Sequence, residues 1–248
     1  MTEQPKVALV TGSALNIGRA IALALARDGM HVMVTARTSR DDCEMTAARV
    51  GDAGGAGAVH MADISDPIQA RGLVEATVAR FGRLDVLVNN ASVRRQTKFA
   101  EMTAEEWREI LGSTLDGAFY CAQAAAPHIA RVGGGSIVNI GGISAHIGAV
   151  GRVHAVTAKA GMVGLTRALA KELAPDNITV NIVVPGSINT IRGAAAGGNS
   201  GRAHLPDNLV GRMGHPEEIA EMVRYLTATP ARFITGQTIH VNGGAFLP

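Results

Sequence analysis

Short strands and longer helices alternate along this chain, and this alternation restricts the possible folds more than any other feature of the sequence. The strand-like runs are rich in β-branched residues and lie at positions 7–10, 31–35, 59–61, 86–88, 136–140, 179–183 and 238–241. The alanine-rich helical segments lie at positions 17–27, 41–50, 67–81, 104–130, 157–173 and 216–226. Several strands are apolar throughout, which is typical of strands covered by helices on both faces. The sequence therefore predicts an α/β fold, with a doubly wound, seven-stranded parallel sheet and right-handed crossovers.

One hydrophobic core is expected for the whole chain. Its 248 residues are near the upper size for a single core, and no Pro-rich, Ser-rich or charged linker interrupts them. Hydrophobic residues make up 47% and charged residues 18%, which excludes a disordered chain. No apolar run reaches the roughly 18 residues that span a bilayer. Residues 1–248 are therefore predicted to form one domain that has no membrane segment.

The composition also excludes several kinds of partner. Residues 1–6 are polar and lead directly into a strand, without a secretory or transit segment, so a cytoplasmic protein is expected. Cys43 and Cys121 are too few and too far apart for a disulfide framework or a metal site. The net charge of +2 comes with scattered basic residues and only 3% aromatic residues, so no nucleic-acid partner is expected. A small-molecule substrate is the expected ligand.

A glycine-containing turn follows the first predicted strand. Residues 11–18 read Thr-Gly-Ser-Ala-Leu-Asn-Ile-Gly, and a predicted helix begins there at once. Backbone amides at a helix N-terminus, together with the helix dipole, form a binding place for a pyrophosphate. Gly12 and Gly18 allow a ligand to approach closely, and Asn16 is among the few other residues that tolerate a left-handed turn. The turn predicts a dinucleotide site, although a chance loop has the same local pattern.

Further motifs follow the later strands. They are Asn89, Asn90, Ala91 and Ser92 after the fourth strand, Pro185, Gly186 and Thr190 after the sixth, Gly-Leu-Thr-Arg-Ala-Leu-Ala at 164–170, Ile-Thr-Gly-Gln at 234–237 and Asn-Gly-Gly at 242–244. Together with the glycine turn, this pattern resembles the short-chain dehydrogenase/reductase family over essentially the whole chain. The resemblance implies a single Rossmann-type domain, a nicotinamide cofactor and a homotetramer in which the segment 234–244 lies at a subunit contact.

The resemblance also implies a set of cofactor-binding residues. They are Gly12, Asn16, Ile17, Gly18, Arg37, Asp63, Asn89, Lys159, Pro185, Gly186 and Thr190. In this set the glycine turn lies against the pyrophosphate and Asp63 accepts from the adenine amino group. Asn89 holds its loop near the cofactor ribose, and Lys159 holds the nicotinamide ribose. Because Ser65 and Asp66 follow Asp63, a helix-capping aspartate is an alternative role for this residue.

The end of the second strand distinguishes between the two nicotinamide cofactors. A relative that prefers NAD would have an acidic residue at position 36 to bind the ribose 2′-hydroxyl, and this chain has Ala36. The guanidinium of Arg37 forms charge-assisted bonds to a 2′-phosphate, or else is simply solvated. The basic residue that some NADP-preferring members carry inside the glycine turn is absent, since Leu15 stands nearby. NADP(H) is therefore favoured over NAD(H).

Three of the four catalytic positions implied by the resemblance lack the expected group. The family mechanism uses a tyrosine whose pKa is lowered by a neighbouring ammonium, a serine that steadies the carbonyl oxygen and an asparagine in a water relay. Counting back from Lys159 puts Ala155 at the tyrosine position. Gly142 occupies the serine position and Thr114 the asparagine position. The two tyrosines of the chain, at positions 120 and 225, lie on predicted helices remote from this site.

Other polar residues are candidates to replace the missing acid. Lys159, Ser144 and His154 are predicted as the catalytic residues, with Ser144 two positions beyond Gly142. His154 reaches the site only if the chain is not yet helical there, because neighbours on a helix point about 100° apart. A histidine bonded within the core is the alternative for His154, and the same alternative holds for His146 in the preceding loop.

The sequence thus predicts an NADP(H)-dependent oxidoreductase that transfers hydride to or from a small carbonyl, imine or activated alkene by an atypical site. The alternative is a catalytically inactive NADP(H)-binding regulatory or scaffold protein. Arg94 and Arg95 lie on the substrate side and suit an anionic substrate, or else are solvated. Residues 193–201 are rich in Ala, Gly, Asn and Ser, which predicts a substrate lid over residues 190–212 or a plain surface loop.

Overall fold

A computed structural model describes residues 4–191 and 208–248 of the chain. They form a seven-stranded, all-parallel sheet with the strand order β3-β2-β1-β4-β5-β6-β7. The strands are β1 (Val7–Val10), β2 (His31–Val34), β3 (Gly57–Val59), β4 (Val86–Asn89), β5 (Gly135–Ile140), β6 (Ile178–Pro185) and β7 (Thr238–Val241). The predicted doubly wound, seven-stranded parallel sheet is thereby confirmed.

Helices cover both faces of this sheet. They are α1 (Asn16–Arg27), α2 (Arg40–Asp52), α3 (Pro67–Phe81), α4 (Ala104–Leu111), α5 (Gly117–Arg131), α6 (Ser144–Ile147), α7 (Val153–Glu172) and α8 (Pro216–Thr227). Helices α1, α2 and α8 pack on one face, and α3, α5 and α7 pack on the other. Helix α7 begins at Val153 rather than at the predicted position 157.

The central strands are buried on both sides. Val7, Ala8, Leu9 and Val10 of β1 all have 0% exposure. Because side chains alternate along a strand, Ala8 and Val10 join the core under α1 and α8, whereas Val7 and Leu9 join the core under α3 and α5. Truncating a buried leucine such as Leu9 to alanine costs about 2–5 kcal/mol. This double burial explains why the strand sequences are apolar throughout instead of alternating.

The strand order reverses at β1, which lies between β2 and β4. The chain after β1 enters α1 on one face, and the chain after β4 leads towards α4 and α5 on the other side. In an open parallel sheet, such a reversal leaves a crevice outside the carboxyl ends of the strands. The segments that follow β1, β4, β5 and β6 meet at this edge and form the candidate site.

The helix predicted over positions 104–130 is observed over positions 104–131 and contains a π-helical turn in its middle. Residues Gly112–Asp116 form a π-helical turn between α4 and α5. A Cβ on Gly117 would lie 2.8 Å from the side chain of Ile64, so glycine allows α5 to start in close contact with its neighbour. Turns of this kind occur frequently at functional sites, and this one carries the buried Ser113 and Thr114. The predicted helical segment is therefore confirmed, and only the widened turn within it was not predicted, because apolar periodicity does not reveal a single widened turn.

Within the described ranges, no helix is both long enough and apolar enough to cross a lipid bilayer. Of the predicted lid over positions 190–212, residues 192–207 lie outside the described residues. Only the two ends of that segment therefore enter the description of the site.

Candidate functional site

A cavity of about 570 Å³ opens at the carboxyl end of β1. Its volume lies in the range of about 300–1,000 Å³ that is usual for ligand pockets. The predicted cofactor-binding residues that line it are Gly12, Asn16, Ile17, Gly18, Arg37, Asp63 and Thr190. Residues from the glycine turn and from the ends of β2, β3 and β6 are thus brought together around one space.

The glycine turn presents its backbone to this cavity. Gly12 has a φ of 63°, and a Cβ there would lie 2.8 Å from the backbone of the segment after β4. A Cβ on Gly18 would press into the carbonyl oxygen of Gly12 and lie 2.6 Å from Nδ2 of Asn90. Helix α1 begins at Asn16 without a side-chain cap and without an acidic residue in its first turn. Its N-terminal amides and positive dipole end are open to an anion, so the cradle fits the pyrophosphate of a dinucleotide.

Asn16 contributes both its backbone and its side chain to the turn. Its φ is 55°, the left-handed conformation that the sequence predicted. Its Nδ2 donates to the carbonyl oxygen of Ile191 at 3.0 Å, and its Oδ1 accepts from the Ile191 N–H at 2.8 Å. One side chain thereby joins the glycine turn to the segment that follows Thr190.

Asn89 does not reach the cavity. It ends β4 with 3% exposure, and its Nδ2 donates to Oδ1 of Asn139 at 2.9 Å. Asn90 lines the cavity instead, and its Nδ2 donates to the carbonyl oxygens of Thr11 and Gly12 at 2.9 Å each. Asn90 is therefore the asparagine of this motif that lines the cavity, because neighbouring residues at a strand end point to opposite faces, and the predicted role of Asn89 in holding its loop near the cofactor ribose stays a prediction. That alternation was the signal in the sequence that distinguishes the two asparagines.

Arg37 lies at the cavity wall with its side chain half exposed. Its Nη1 is 3.8 Å from Oδ2 of Asp63, and its Nη2 is 3.6 Å from Oε1 of Glu109. Both distances exceed those of hydrogen bonds, and such exposed ion pairs contribute little, so the guanidinium can turn towards a phosphate. Ser39 also lines this wall, and its hydroxyl makes no capping bond to α2. Sequence reasoning missed Ser39, although a serine directly before a predicted helix was visible.

Asp63 has a local structural contact as well as a place on the cavity wall. Its Oδ1 accepts from the backbone N–H of Ser65 at 3.1 Å and from the Ser65 hydroxyl at 2.7 Å. The cap of α3 is Asp66, whose Oδ1 accepts from the N–H of Ile68 at 2.8 Å. The alternative of a helix-capping Asp63 is therefore wrong, and Asp63 instead stabilises the turn that precedes the cap.

A second cavity of about 370 Å³ adjoins the first. The two cavities share Ile17, Asn90, Ser92, Val93, Arg94 and Thr190. The second is further lined by Pro185 and Gly186 after β6, by Gly142 and Ser144 after β5, and by Ala155 and Lys159 of α7. The predicted nicotinamide side and the predicted catalytic segment therefore face one space that continues into the first cavity.

Lys159 lies at the wall of the second cavity, largely withdrawn from solvent. Its Nζ donates to the carbonyl oxygen of Ile140 at 2.5 Å. Desolvation of the ammonium, with a smaller effect from the Arg94 cation, lowers the pKa of Lys159 to about 8. The side chain is thus a cationic N–H donor below that pH and a neutral amine above it. A group that titrates near neutral pH is suited to proton transfer.

Neither tyrosine of the chain shares a cavity with Ala155, the position at which the sequence predicts a missing tyrosine. Ala155 lines the second cavity one helical turn before Lys159, and its methyl group has no proton to donate. The ring of Tyr120 lies 5.6 Å from that of Phe119, and Tyr225 is 47% exposed on α8. Both tyrosines belong to the described part of the chain, and neither lines either cavity.

Two serine hydroxyls lie close to Gly142 and Thr114, which the sequence predicts to occupy catalytic positions. Oγ of Ser144 is 3.9 Å from the point where a Cβ on Gly142 would begin. Ser92 lines both cavities, and its Oγ is 3.0 Å from Oγ1 of Thr114 in the π-helical turn. Ser144 was predicted from the sequence, whereas Ser92 was missed. The signal for Ser92 was a hydroxyl residue at the end of the Asn-Asn-Ala motif.

His154 lies outside both cavities, so its predicted catalytic role is corrected. It belongs to α7, which begins at Val153, and its exposure is 0%. Its Nε2 is 3.0 Å from Oε1 of Glu106, a carboxylate that also accepts from the hydroxyl of Thr97 at 2.5 Å. Because the chain is already helical at this position, the side chain points away from the face that carries Ala155. His154 instead links α7 to α4.

His146 also lies apart from the site. Its ring packs against those of His240 and Phe246, with centroid distances of 4.7 and 5.3 Å. Burial is the main cause of the lowered pKa of His146. This side chain therefore belongs to an aromatic cluster beside β7 and not to the wall of either cavity.

The arginines near the second cavity differ in their surroundings. Arg94 lines both cavities, whereas Arg95 pairs with Glu109 at 2.9 Å and lines neither. Arg152, which directly precedes α7, also lines the second cavity and was missed in the sequence. The wall predicted to suit an anionic substrate thus contains Arg94 and Arg152 but not Arg95.

Comparisons with known proteins agree with this architecture. Residues 12–245 match the family model described as enoyl-(acyl carrier protein) reductase. The chain is 37% identical over 242 residues to the 3-oxoacyl-[acyl-carrier-protein] reductase FabG of Staphylococcus aureus (strain Mu50), and the match covers 98% of each chain. A short-chain dehydrogenase/reductase from Serratia marcescens has a similar structure, with a TM-score of 0.90, 34% identity and 98% of each chain covered. Acetoin dehydrogenase YohF from Salmonella typhimurium gives a TM-score of 0.88 and 35% identity, covering 97% of this chain and 95% of that one. The chain therefore belongs to the short-chain dehydrogenase/reductase family of oxidoreductases.

Proposed function

We propose that this protein is an NADP(H)-dependent oxidoreductase that transfers hydride to or from a small carbonyl, imine or activated alkene without a tyrosine acid. The observation that carries the proposal is the continuity of the cavity at the glycine turn with the cavity at Lys159. A dinucleotide needs such a continuous space, because its phosphates and its reactive ring bind to different parts of a protein. The name of the FabG relative, a 3-oxoacyl reductase, supports a carbonyl substrate.

The residues of the first cavity fit a nicotinamide dinucleotide phosphate. The glycine turn and the N-terminus of α1 bind the pyrophosphate. Arg37 and Ser39 bind the 2′-phosphate, and Ala36 leaves no carboxylate at the end of β2 to repel it. Lys159 holds the nicotinamide ribose. Bound in this way, the cofactor supplies or accepts the hydride.

Lys159 and nearby hydroxyls take over the chemistry that a tyrosine would perform. The Lys159 ammonium stabilises negative charge on a substrate oxygen and donates a proton to it directly or through water. Ser144 donates a hydrogen bond to the same oxygen, and the pair of Ser92 and Thr114 supplies a second hydroxyl donor. General acid catalysis contributes roughly 10²–10⁴-fold, and positioning of the reactants contributes more. Imines and activated alkenes, which need little protonation in the transition state, are therefore the favoured substrates beside carbonyls.

Oxidation of NADPH with a panel of ketones, imines and activated alkenes tests this function. We expect NADPH to bind more tightly than NADH, and Ser144→Ala to slow carbonyl reduction more than imine reduction. Thr157→Ala, on the exposed side of α7, is the control and is expected to change neither rate. A fast reduction of simple ketones that is indifferent to Ser144→Ala would contradict the proposed roles.

A catalytically inactive NADP(H)-binding regulatory or scaffold protein is the second candidate. Ala155 and Gly142 favour it, because both line the second cavity without a group that transfers a proton. This candidate predicts saturable NADPH binding in a fluorescence titration and no turnover of any compound in the panel. Turnover that falls with rising pH as the Lys159 ammonium loses its proton would exclude the inactive-protein candidate.

Family membership also supports a cytoplasmic homotetramer with the segment 234–244 at a subunit contact. Strand β7 lies within that segment and forms one edge of the described sheet, where its strand partner is β6. Light scattering of the purified protein during gel filtration tests the assembly. The mass of four chains is expected, and the mass of one chain would contradict it.

A further inference from the structure

We propose that Asn16 is a positioning residue for the cofactor, because its side chain holds Thr190 in place at the border between the two cavities. The inference rests on the proposed function and adds a residue that aligns the nicotinamide half of the dinucleotide. It is carried by the hydrogen bonds that join the Asn16 amide to the backbone of Ile191.

The Asn16 amide pairs with both backbone groups of Ile191. Its Oδ1 accepts from the Ile191 N–H at 2.8 Å, and its Nδ2 donates to the Ile191 carbonyl oxygen at 3.0 Å. An asparagine amide carries both an acceptor and donors, so one orientation of the side chain satisfies both groups. An ionised aspartate, which only accepts, would satisfy one of them. The Asn16 side chain therefore pairs with the segment after β6 as the backbone of a neighbouring strand would.

The backbone of Asn16 has a conformation that glycine adopts more readily. Its φ is 55°, and among the described residues the only other non-glycine residue with a positive φ is Asn177. A side chain at such a position costs conformational energy that glycine does not pay. The turn itself would therefore accept glycine, and the contact with Ile191 is what the Asn16 side chain adds to it.

Thr190 lies between two points at which the segment after β6 is held. Before it, Ile188 forms a parallel β-bridge with Gly214. After it, Ile191 is held by the amide of Asn16. The side chain of Ile191 is 72% exposed, so apolar packing contributes little at this second point. Removing the Asn16 amide should therefore loosen the segment on one side of Thr190 and leave the bridge on the other side.

The location of Thr190 connects this contact to the proposed cofactor. Thr190 lines both cavities, whereas Asn16 belongs to the glycine turn proposed to bind the pyrophosphate. The nicotinamide is proposed to lie beyond Thr190, beside Lys159. One side chain thus fixes the wall of the nicotinamide region relative to the phosphate site before a ligand binds. A wall that is already ordered lowers the entropic cost of binding and keeps the reacting groups aligned.

Asn16→Gly tests this role, because it removes the amide and keeps a residue that accepts a positive φ. Two ligands are compared by titration: NADPH, and 2′-phospho-ADP-ribose, which has the same phosphates and adenosine but no nicotinamide. We expect Asn16→Gly to raise the Kd for NADPH roughly 3- to 30-fold, as the loss of two exposed hydrogen bonds should. The Kd for 2′-phospho-ADP-ribose should stay unchanged. The turnover number at saturating NADPH should also fall, since a loosened Thr190 aligns the nicotinamide less well.

Asn177→Gly is the matched control. Asn177 has a φ of 57°, and its Nδ2 donates to the carbonyl oxygen of Gly133 at 3.0 Å, outside both cavities. The same exchange there should leave the Kd of both ligands unchanged, and thermal unfolding verifies that each variant is folded. Equal weakening of both ligands in Asn16→Gly would assign Asn16 to the phosphate site alone and overturn the proposal. Unchanged binding of both ligands would overturn it as well.

Exchange of the Ile191 amide hydrogen with water, followed by NMR without any ligand, measures the contact directly. It should be slower in the wild type and in Asn177→Gly than in Asn16→Gly, because Oδ1 of Asn16 accepts from this N–H. Equal exchange rates would overturn the positioning role and leave hydride transfer standing. If NADPH binds but no compound is turned over, hydride transfer fails and the comparison of the two ligands still decides the role of Asn16. Absence of NADPH binding to the wild type would refute both proposals.

Discussion

The two adjoining cavities are built from different parts of the chain. The first is shaped by main chain, where Gly12 and Gly18 leave no space for a Cβ and the uncapped amides of α1 are the proposed binding groups. The second depends on single side chains, above all Lys159 and Ser144, and it accommodates Ala155 where a proton donor is expected. A phosphate-binding site formed by backbone amides is lost only when the backbone geometry changes. A proton-donating side chain, in contrast, is lost through one substitution that leaves the fold unchanged.

Gly18→Ala should cause the largest loss of function, because it changes the backbone geometry of the proposed phosphate site directly. The added Cβ would press into the carbonyl oxygen of Gly12, and a displacement of about 1 Å at such a site costs roughly 10²-fold. NADPH binding, followed by fluorescence titration, should weaken by at least that factor. Gly72→Ala is the control, since Gly72 is an exposed residue of α3 with nothing within 4 Å of its Cβ position. If Gly18→Ala bound NADPH as tightly as the wild type, the first cavity would not depend on its backbone geometry. The contrast with the second cavity, which depends on single side chains, would then fail.

The double variant Ala155→Tyr, Gly142→Ser should restore what the second cavity lacks. A Cβ at Gly142 has only Oγ of Ser144 within 4 Å, at 3.9 Å, so a serine fits there. Reduction of simple ketones, measured by NADPH absorbance, should rise by about 10²–10⁴-fold. Thr157→Tyr places the same ring on the exposed side of α7 and should have no such effect. Equal rates in the two variants would mean that the cavity is not arranged for ketone chemistry.

The pH profile of reduction should report the titration of Lys159. Its pKa is lowered from 10.5 to about 8, so the ammonium form is present below that pH and is lost above it. The turnover number should therefore fall about tenfold for each pH unit above 8. Lys159→Arg keeps a cation whose pKa lies far above this range, so any remaining activity should be flat between pH 7 and 10. If the turnover number of the wild type did not change across pH 8, Lys159 would not be the proton donor.

His154→Leu should have the smallest effect on turnover, because His154 lies outside both cavities. The substitution removes a contact of Glu106, leaving that carboxylate with the hydroxyl of Thr97. The free energy of unfolding, measured with urea, should fall by about 1–3 kcal/mol. If turnover were lost while the free energy of unfolding stayed unchanged, His154 would have a catalytic role after all.

The alternation of strands and helices was sufficient to predict the sheet, because burial on both faces makes the strands apolar and the crossovers follow from parallel pairing. The glycine turn was also readable, down to the left-handed Asn16, since few residue types adopt that backbone conformation. Prediction failed where the direction of a side chain decided the result. Asn90, which lines the first cavity, was not predicted as a site residue, and His154 was misplaced because α7 starts earlier than its apolar pattern indicates.

The sequence by itself determined the doubly wound sheet, the left-handed turn at Asn16 and the alanine at position 155, where the family resemblance predicts a tyrosine. These properties depend on residue type and local spacing. Only the tertiary structure decided that Ser92 meets Thr114, that Arg94 and Arg152 line one cavity, and that Arg95 does not. These residues come from segments far apart in the chain, and their meeting depends on how loops at the carboxyl edge of the sheet pack against α7. Packing of that kind has no signature in local sequence.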